Sequence, residues 1–254
     1  MRLKVLGAYG SMDASHNLTG YILDDRIAID AGTLTSKLSF PQQAKIELVY
    51  ITHVHADHTR DLPHLILNRL SQDAPPLTIV AEKAVMDQLM RHVFNGEHWP
   101  DFGKIPSPVT GKSAIHYRVL QRGRKVVING VGLTAIPVTH SVPSAGVILD
   151  MGEQTIVFTG DTGPTSEIWK KTNATPGVVA IVTEASFPND YQQIADDSGH
   201  LTPQTLAAEL AKIEPEVPVY ASHRKLPHER KIESEIRNIR DRRARILVEK
   251  QYTF

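Results

Sequence analysis

"ITHVHADHTRDLPHL", residues 51–65, places four histidines and two aspartates in fifteen positions, directly after the apolar run Ile46–Ile51. That run reads as a strand, so His53 and His55, two apart in extended backbone, project to the same side, while Asp57 and His58 can fold back from the loop that follows. H-x-H-x-D-H at a strand end is a metal-ligand pattern. The competing reading is a polar loop whose Asp57 or Thr59 caps a helix running from Pro63 to Leu70. The rest of the chain weighs against it, because three later apolar runs also end in a donor: "AIPVTH" at His140, "TIVFTGD" at Asp161 and "VPVYASH" at His223. Functional side chains concentrate where a sheet fixes a position and a loop leaves the side-chain head free.

Composition narrows the chemistry. The 254 residues contain no cysteine, which excludes disulfides, thiolate nucleophiles and Cys-ligated zinc, so a transition-metal site must be built from the twelve histidines and the carboxylates. Lys+Arg and Asp+Glu both number 28. A neutral chain has no global field to attract polyanions, and nucleic acid is not the expected main partner. The start, "MRLKVLGAYGSMD", lacks a signal-peptide pattern, and no apolar run approaches a membrane span. A soluble cytoplasmic protein without membrane contact is expected.

Short strands dominate the first half. "YILDDRIAID" reads as two strands turning at Asp24-Asp25, "KVVINGVGLTAIPV" as a hairpin on Asn129-Gly130, and "AGVILDMGEQTIVFTGD" as a third pair. Helices are expected in "EKAVMDQLMRHVF", in "TPQTLAAELAKI" behind a cap and proline, and in "HERKIESEIRNIR", whose Ile232, Ile236 and Ile239 share a stripe. The basic segment 224–245 reads as a solvated surface helix. With no repeat, low-complexity tract or linker, residues 1–254 are expected to form one α/β domain, two facing sheets with helices outside.

These residues resemble the metallo-β-lactamase superfamily, whose H-x-H-x-D-H signature matches His53, His55, Asp57 and His58 and whose later ligands match His140, Asp161 and His223 in order and spacing. The resemblance implies a four-layer αββα sandwich with two metals at one edge. By position, His53, His55 and His140 would hold one ion, Asp57, His58 and His223 the other, and Asp161 would bridge them. The superfamily often has glycine soon after the signature, where this chain has "TRDL". Within the superfamily, "IAIDAGTL", "HWPDF", "FTGDTGP", "GHLTP" and "SHRKLPHE" resemble segments of the class II 3′,5′-cyclic-nucleotide phosphodiesterases, while "EASF" and "GHLTP" also resemble ribonuclease Z.

The resemblance therefore implies phosphodiester hydrolysis. Two divalent ions roughly 3.5–4 Å apart activate water and clamp an in-line displacement. Zinc is the expected metal, and manganese and iron suit the same donors. Asp57 is expected to orient the attacking hydroxide and His200 to act as general acid. His200, Lys225 and Asn17 are the expected substrate contacts. Glu184 either orients a ligand histidine or caps or bonds backbone, and Trp99 and Phe102 either line a base pocket or, as such residues more often do, close a helix over the core. The substrate is expected to be a small phosphodiester and the protein, by resemblance, a homodimer. The alternatives are hydrolysis of RNA, aryl phosphodiesters or sulfate esters on the same metals, or a di-iron redox site. Against the last, related oxygen-reducing sites carry a glutamate where His55 stands, and no flavin domain fits the remaining length.

Overall fold

The computed structural model describes residues 1–254. One seven-stranded sheet contains β1 (Arg2–Gly7), β2 (Gly20–Leu23), β3 (Ile27–Ile29), β4 (Leu48–Tyr50), β5 (Leu77–Glu82), β6 (Ile115–Leu120) and the last strand, β14 (Gln251–Thr253), in the order β14-β1-β2-β3-β4-β5-β6. The other contains β7 (Val126–Ile128), β8 (Val131–Pro137), β9 (Ala145–Asp150), β10 (Thr155–Phe158), β11 (Val178–Glu184), β12 (Val219–Ser222) and β13 (Ala244–Ile246), in the order β13-β12-β11-β10-β9-β8-β7. Both sheets are mixed, with parallel pairing through β3 to β6 and through β10 to β13.

Strand periodicity builds the layers. In β9, Val147 and Leu149 enter the core between the sheets, while Ile148 points outward beneath helices. The inner core joins Leu23, Ile29 and Tyr50 of one sheet to Leu133, Phe158 and Val182 of the other. Outside the first sheet pack α3 (Leu62–Leu70) and α4 (Lys83–His92), through Leu65, Ile66, Val85 and Leu89. Outside the second pack α5 (Glu167–Asn173), α7 (Pro203–Leu210) and α8 (Glu229–Arg237), through Trp169, Leu206, Ile232 and Ile236. Each of these fully buried aliphatic side chains contributes about 1.5–3 kcal/mol of hydrophobic stabilisation. This is the expected helix–sheet–sheet–helix sandwich. Three short helices complete it: α1 (Phe40–Ala44), α2 (Ala56–Thr59) and α6 (Gln192–Ser198).

The expected turns form as read. Asp24, Asp25, Asn129 and Gly130 all have positive φ, which suits tight two-residue connections. One expectation is corrected: segment 224–245 is not uniformly solvated, because Arg224 is fully buried and Arg243 bonds the carbonyls of Leu210 and Ile213. No helix is long and apolar enough to cross a membrane. Because β3, β4, β8, β10, β11 and β12 all run the same way, their C-terminal ends reach one edge of the sandwich. Asp30, His53, His140, Asp161, Glu184 and His223 lie at or just beyond those ends.

Candidate metal centre

The signature occupies a strand exit followed by a single helical turn. His53 leaves β4 behind Thr52, His55 stands at the first, half-helical position before α2, and Asp57 and His58 lie within α2, whose turn is closed by His58 N–H donating to the His55 carbonyl (2.9 Å). His53, His58, Asp161 and His223 are buried; His55, Asp57 and His140 are half-buried.

Two donor clusters result. In the first, His53 Nε2 and His140 Nε2 lie 3.1 and 3.2 Å from His55 Nδ1. Bonds of about 2.0–2.1 Å to a tetrahedral ion require edges of roughly 3.3–3.4 Å between donors, close to these separations. In the second, His223 Nε2 lies 3.1 Å from Asp57 Oδ2 and 3.2 Å from Asp161 Oδ2, and His58 Nε2 lies 3.3 Å from Asp161 Oδ1. Asp161 Oδ2 also faces the first cluster, 3.7 Å from His53 Nε2 and 4.0 Å from His140 Nε2. The carboxylate thus stands between the two groups.

The ring nitrogens facing away from the centre are mostly occupied. His58 Nδ1 lies 2.7 Å from Asp30 Oδ2, His53 Nδ1 3.1 Å from Thr52 Oγ1, and His223 Nδ1 2.9 Å from Ser186 Oγ; His140 Nδ1–H donates to the Gly199 carbonyl at 2.9 Å. Such partners set the tautomer and turn the opposite nitrogen's lone pair inward.

Electrostatics favour a cation here. Burial holds the pKa of His53 well below its ordinary value and lowers those of His55 and His140, which keeps these rings neutral and able to donate lone pairs. Burial also opposes charge on His58, but Asp161 and Asp30 on either side outweigh it and raise its pKa well above the ordinary value. Burial would raise Asp161 and Asp57, yet His223 and His58 hold Asp161 well below the carboxylate range, and the hydrogen bond from His223 does the same for Asp57. His58 Nε2 is buried and makes no hydrogen bond. An environment that draws a proton onto a buried imidazole draws a divalent ion as well, and an orphaned inward nitrogen beside a carboxylate is a ligand position. The His/Asp clusters fit divalent metals.

The other predicted residues divide. His200 is buried, with Nδ1 2.7 Å from Glu184 Oε1, and its ring stacks on His223 at a centroid distance of 5.4 Å. Burial opposes its charge, but Glu184 raises its pKa. Glu184 therefore bonds His200 rather than a ligand histidine, reaching His223 only through Ser186, whose Oγ donates to Oε2 at 2.5 Å. Lys225 Nζ stands at the rim, 3.9 Å from Asp57 Oδ2 and donating to the Gly10 carbonyl at 2.9 Å. Asn17 lies on the loop between β1 and β2, where its amide donates to both oxygens of Glu249. Phe102 is fully buried in the outer core and cannot line a pocket, whereas Trp99 is half-buried, edge-on to His64.

Sequence reasoning missed Asp30, Thr52, Ser186 and Gly199. Asp30 was within reach, since "RIAID" is another apolar run ending in a carboxylate. The rest act through a hydroxyl or a carbonyl, types too common to stand out.

Two glycines show how tightly the centre is packed. At Gly199 (φ +68°) a Cβ would lie 2.7 Å from the His140 Cα. At Gly32 a Cβ would lie 1.9 Å from the Asp57 carbonyl oxygen, a backbone atom that cannot swing away. Gly32→Ala is expected to destabilise the fold by at least about 1–3 kcal/mol, the usual range for overpacking, read as a lower urea midpoint.

A family model described as a beta-lactamase superfamily domain matches residues 25–223. A 3′,5′-cyclic-nucleotide phosphodiesterase of Aliivibrio fischeri is 26% identical over 227 residues, covering 80% of this chain. The match spans 66% of that relative's length, just under two thirds. A ribonuclease Z of Ignicoccus hospitalis is 22% identical over 240 residues, covering 76% of this chain and 74% of its own. Among solved structures, unliganded yeast PDE1 superposes with a TM-score of 0.81 at 18% identity, covering 98% of each chain, a likeness of fold.

Proposed function

The chain belongs to the beta-lactamase superfamily and is a hydrolase of the metallo-β-lactamase kind, and from that premise we propose that it is a binuclear phosphodiesterase that converts 3′,5′-cyclic nucleotides to 5′-monophosphates. The observation that carries this reading is the pair of donor clusters on either side of Asp161, with the His200–Glu184 pair packed against them. The whole chain is read as one such domain, acting on a small substrate, with zinc as the metal. Soluble, cytoplasmic and dimeric behaviour belongs to the same proposal.

When bound, two divalent ions supply Lewis acidity and a water made nucleophilic near neutral pH. The protein supplies the rest. His53, His55 and His140 would hold one ion, and Asp57, His58 and His223 the other, with Asp161 shared. Asp57, kept ionised, orients the attacking water and accepts its proton. Lys225 at the rim meets a non-bridging phosphoryl oxygen as a point charge. As the bond from phosphorus to the 3′ oxygen breaks, that oxygen needs a proton. His200 is the proposed donor: its ring packs against His140 and His223, Glu184 holds Nδ1 and favours the protonated ring, and the Nε2 proton is the one given up.

The test is turnover. Zinc- or manganese-loaded protein is expected to convert cyclic AMP or cyclic GMP to the 5′-monophosphate, identified by chromatography. Full metal loading without hydrolysis of any phosphodiester would sink the reading. Turnover of a linear oligoribonucleotide but not of cyclic nucleotides would move the substrate toward the ribonuclease Z type.

A further inference from the structure

We propose that Asp61, three residues beyond the last histidine of the signature, is a positioning residue that selectively builds the Asp57/His58 half of the metal centre; this rests on the two-cluster reading above. Asp61 is 5% exposed, and its Oδ2 accepts three hydrogen bonds from one short loop: Leu34 N–H at 2.8 Å, Thr35 N–H at 2.8 Å and the Thr35 hydroxyl at 2.9 Å. Its own N–H donates to the Ala31 carbonyl at 2.7 Å, and Ala31 N–H donates to the His58 carbonyl at 2.7 Å. The loop after β3 is thus tied to the metal-binding segment by main-chain bonds at its start and by the Asp61 carboxylate further along.

That loop carries what the second cluster leans on. It begins at Asp30, whose carboxylate orients His58, and it passes Gly32, pressed against the backbone of Asp57. His55 and His140 have no bond to it, and His53 reaches it only indirectly, through Thr52, whose hydroxyl donates to the Asp30 carboxylate. A loop freed at residues 34 and 35 would therefore loosen Asp57 and His58 before it disturbs the first cluster. The clamp is made by the "TRDL" sequence that follows the signature in this chain.

Outer partners of metal ligands typically contribute about 10–100-fold in metal affinity. The experiment is a zinc titration of the demetallated protein, by calorimetry with native mass spectrometry for stoichiometry. Wild type is expected to bind two ions. Asp61→Ala should bind one ion as wild type does and the other at least about tenfold more weakly. Asp61→Asn, which keeps a carbonyl oxygen where Oδ2 stands, should restore both. Arg69→Ala controls for general loss of stability: its buried side chain makes three bonds to the Gln43, Ala44 and Pro75 carbonyls at the opposite end of α3. It should lower the melting temperature and leave both ions unchanged. Equal weakening of both ions in Asp61→Ala, no weakening of either, or no rescue by Asp61→Asn overturns the proposal while leaving two-metal binding intact. Fewer than two ions on wild type would instead overturn the two-cluster reading and the proposal with it.

Discussion

His58→Ala is expected to lower kcat/KM on a phosphodiester by about three orders of magnitude or more, and to leave the protein holding one ion tightly instead of two. The size follows from what the ring separates. Its Nε2 faces Asp161 Oδ1 at 3.3 Å and its Nδ1 bonds Asp30 at 2.7 Å, all three side chains being almost wholly inaccessible to solvent. Truncation leaves two buried carboxylates facing a hole, an arrangement that repels electrons where a transition state must be stabilised by positive charge. A lost metal contact forfeits several kcal/mol of charge stabilisation, and about 1.4 kcal/mol is a factor of ten in rate. Metal analysis alongside kinetics separates this from unfolding. A variant that keeps two ions and near wild-type turnover would remove His58 from the site.

That prediction could be framed from sequence, because the features that mark a ligand are local. A strand exit followed by one helical turn brings His53, His55, Asp57 and His58 together by spacing alone, and the other strand ends announce themselves as apolar runs closing in His or Asp. The sandwich was legible for a related reason: an uninterrupted apolar run such as Val147, Ile148 and Leu149 implies a strand covered on both faces, and Asn129-Gly130 implies its hairpin. What stayed hidden depended on packing between distant segments. Nothing in the sequence around Asn17 shows that Glu249 will take its amide, since residues 232 positions apart meet only because β14 pairs with β1. Arg224 sits in a run of charge, yet it is buried where the Tyr9 ring and the Leu247 carbonyl receive it. Phe102 reads as an aromatic that either stacks on a base or fills the core, and the outer core above the first sheet decides for filler.

The second large effect tests the proton donor and depends on the leaving group. His200→Ala is expected to lower kcat for a cyclic nucleotide by about 10²–10⁴, the usual contribution of general acid–base catalysis, with both ions retained. A ribose 3′ oxygen leaves as a strongly basic alkoxide unless it is protonated as the bond breaks. A p-nitrophenolate ion is stable near neutral pH and needs no such help. Bis(p-nitrophenyl) phosphate turnover should therefore fall far less in the same variant, a contrast that loose packing would not produce. Glu184→Gln should lie between the two: it keeps a hydrogen-bond acceptor for His200 Nδ1 but removes the charge that favours the protonated ring. One competing assignment has a distinct signature. His140, Asp161 and His200 are also close enough to share an ion, so His200 could serve as a ligand. In that case His200→Ala would lose metal and both substrates would suffer alike. Retained metal with a leaving-group-dependent loss is the outcome that makes His200 the acid, because only a proton delivered to the departing oxygen distinguishes the two esters.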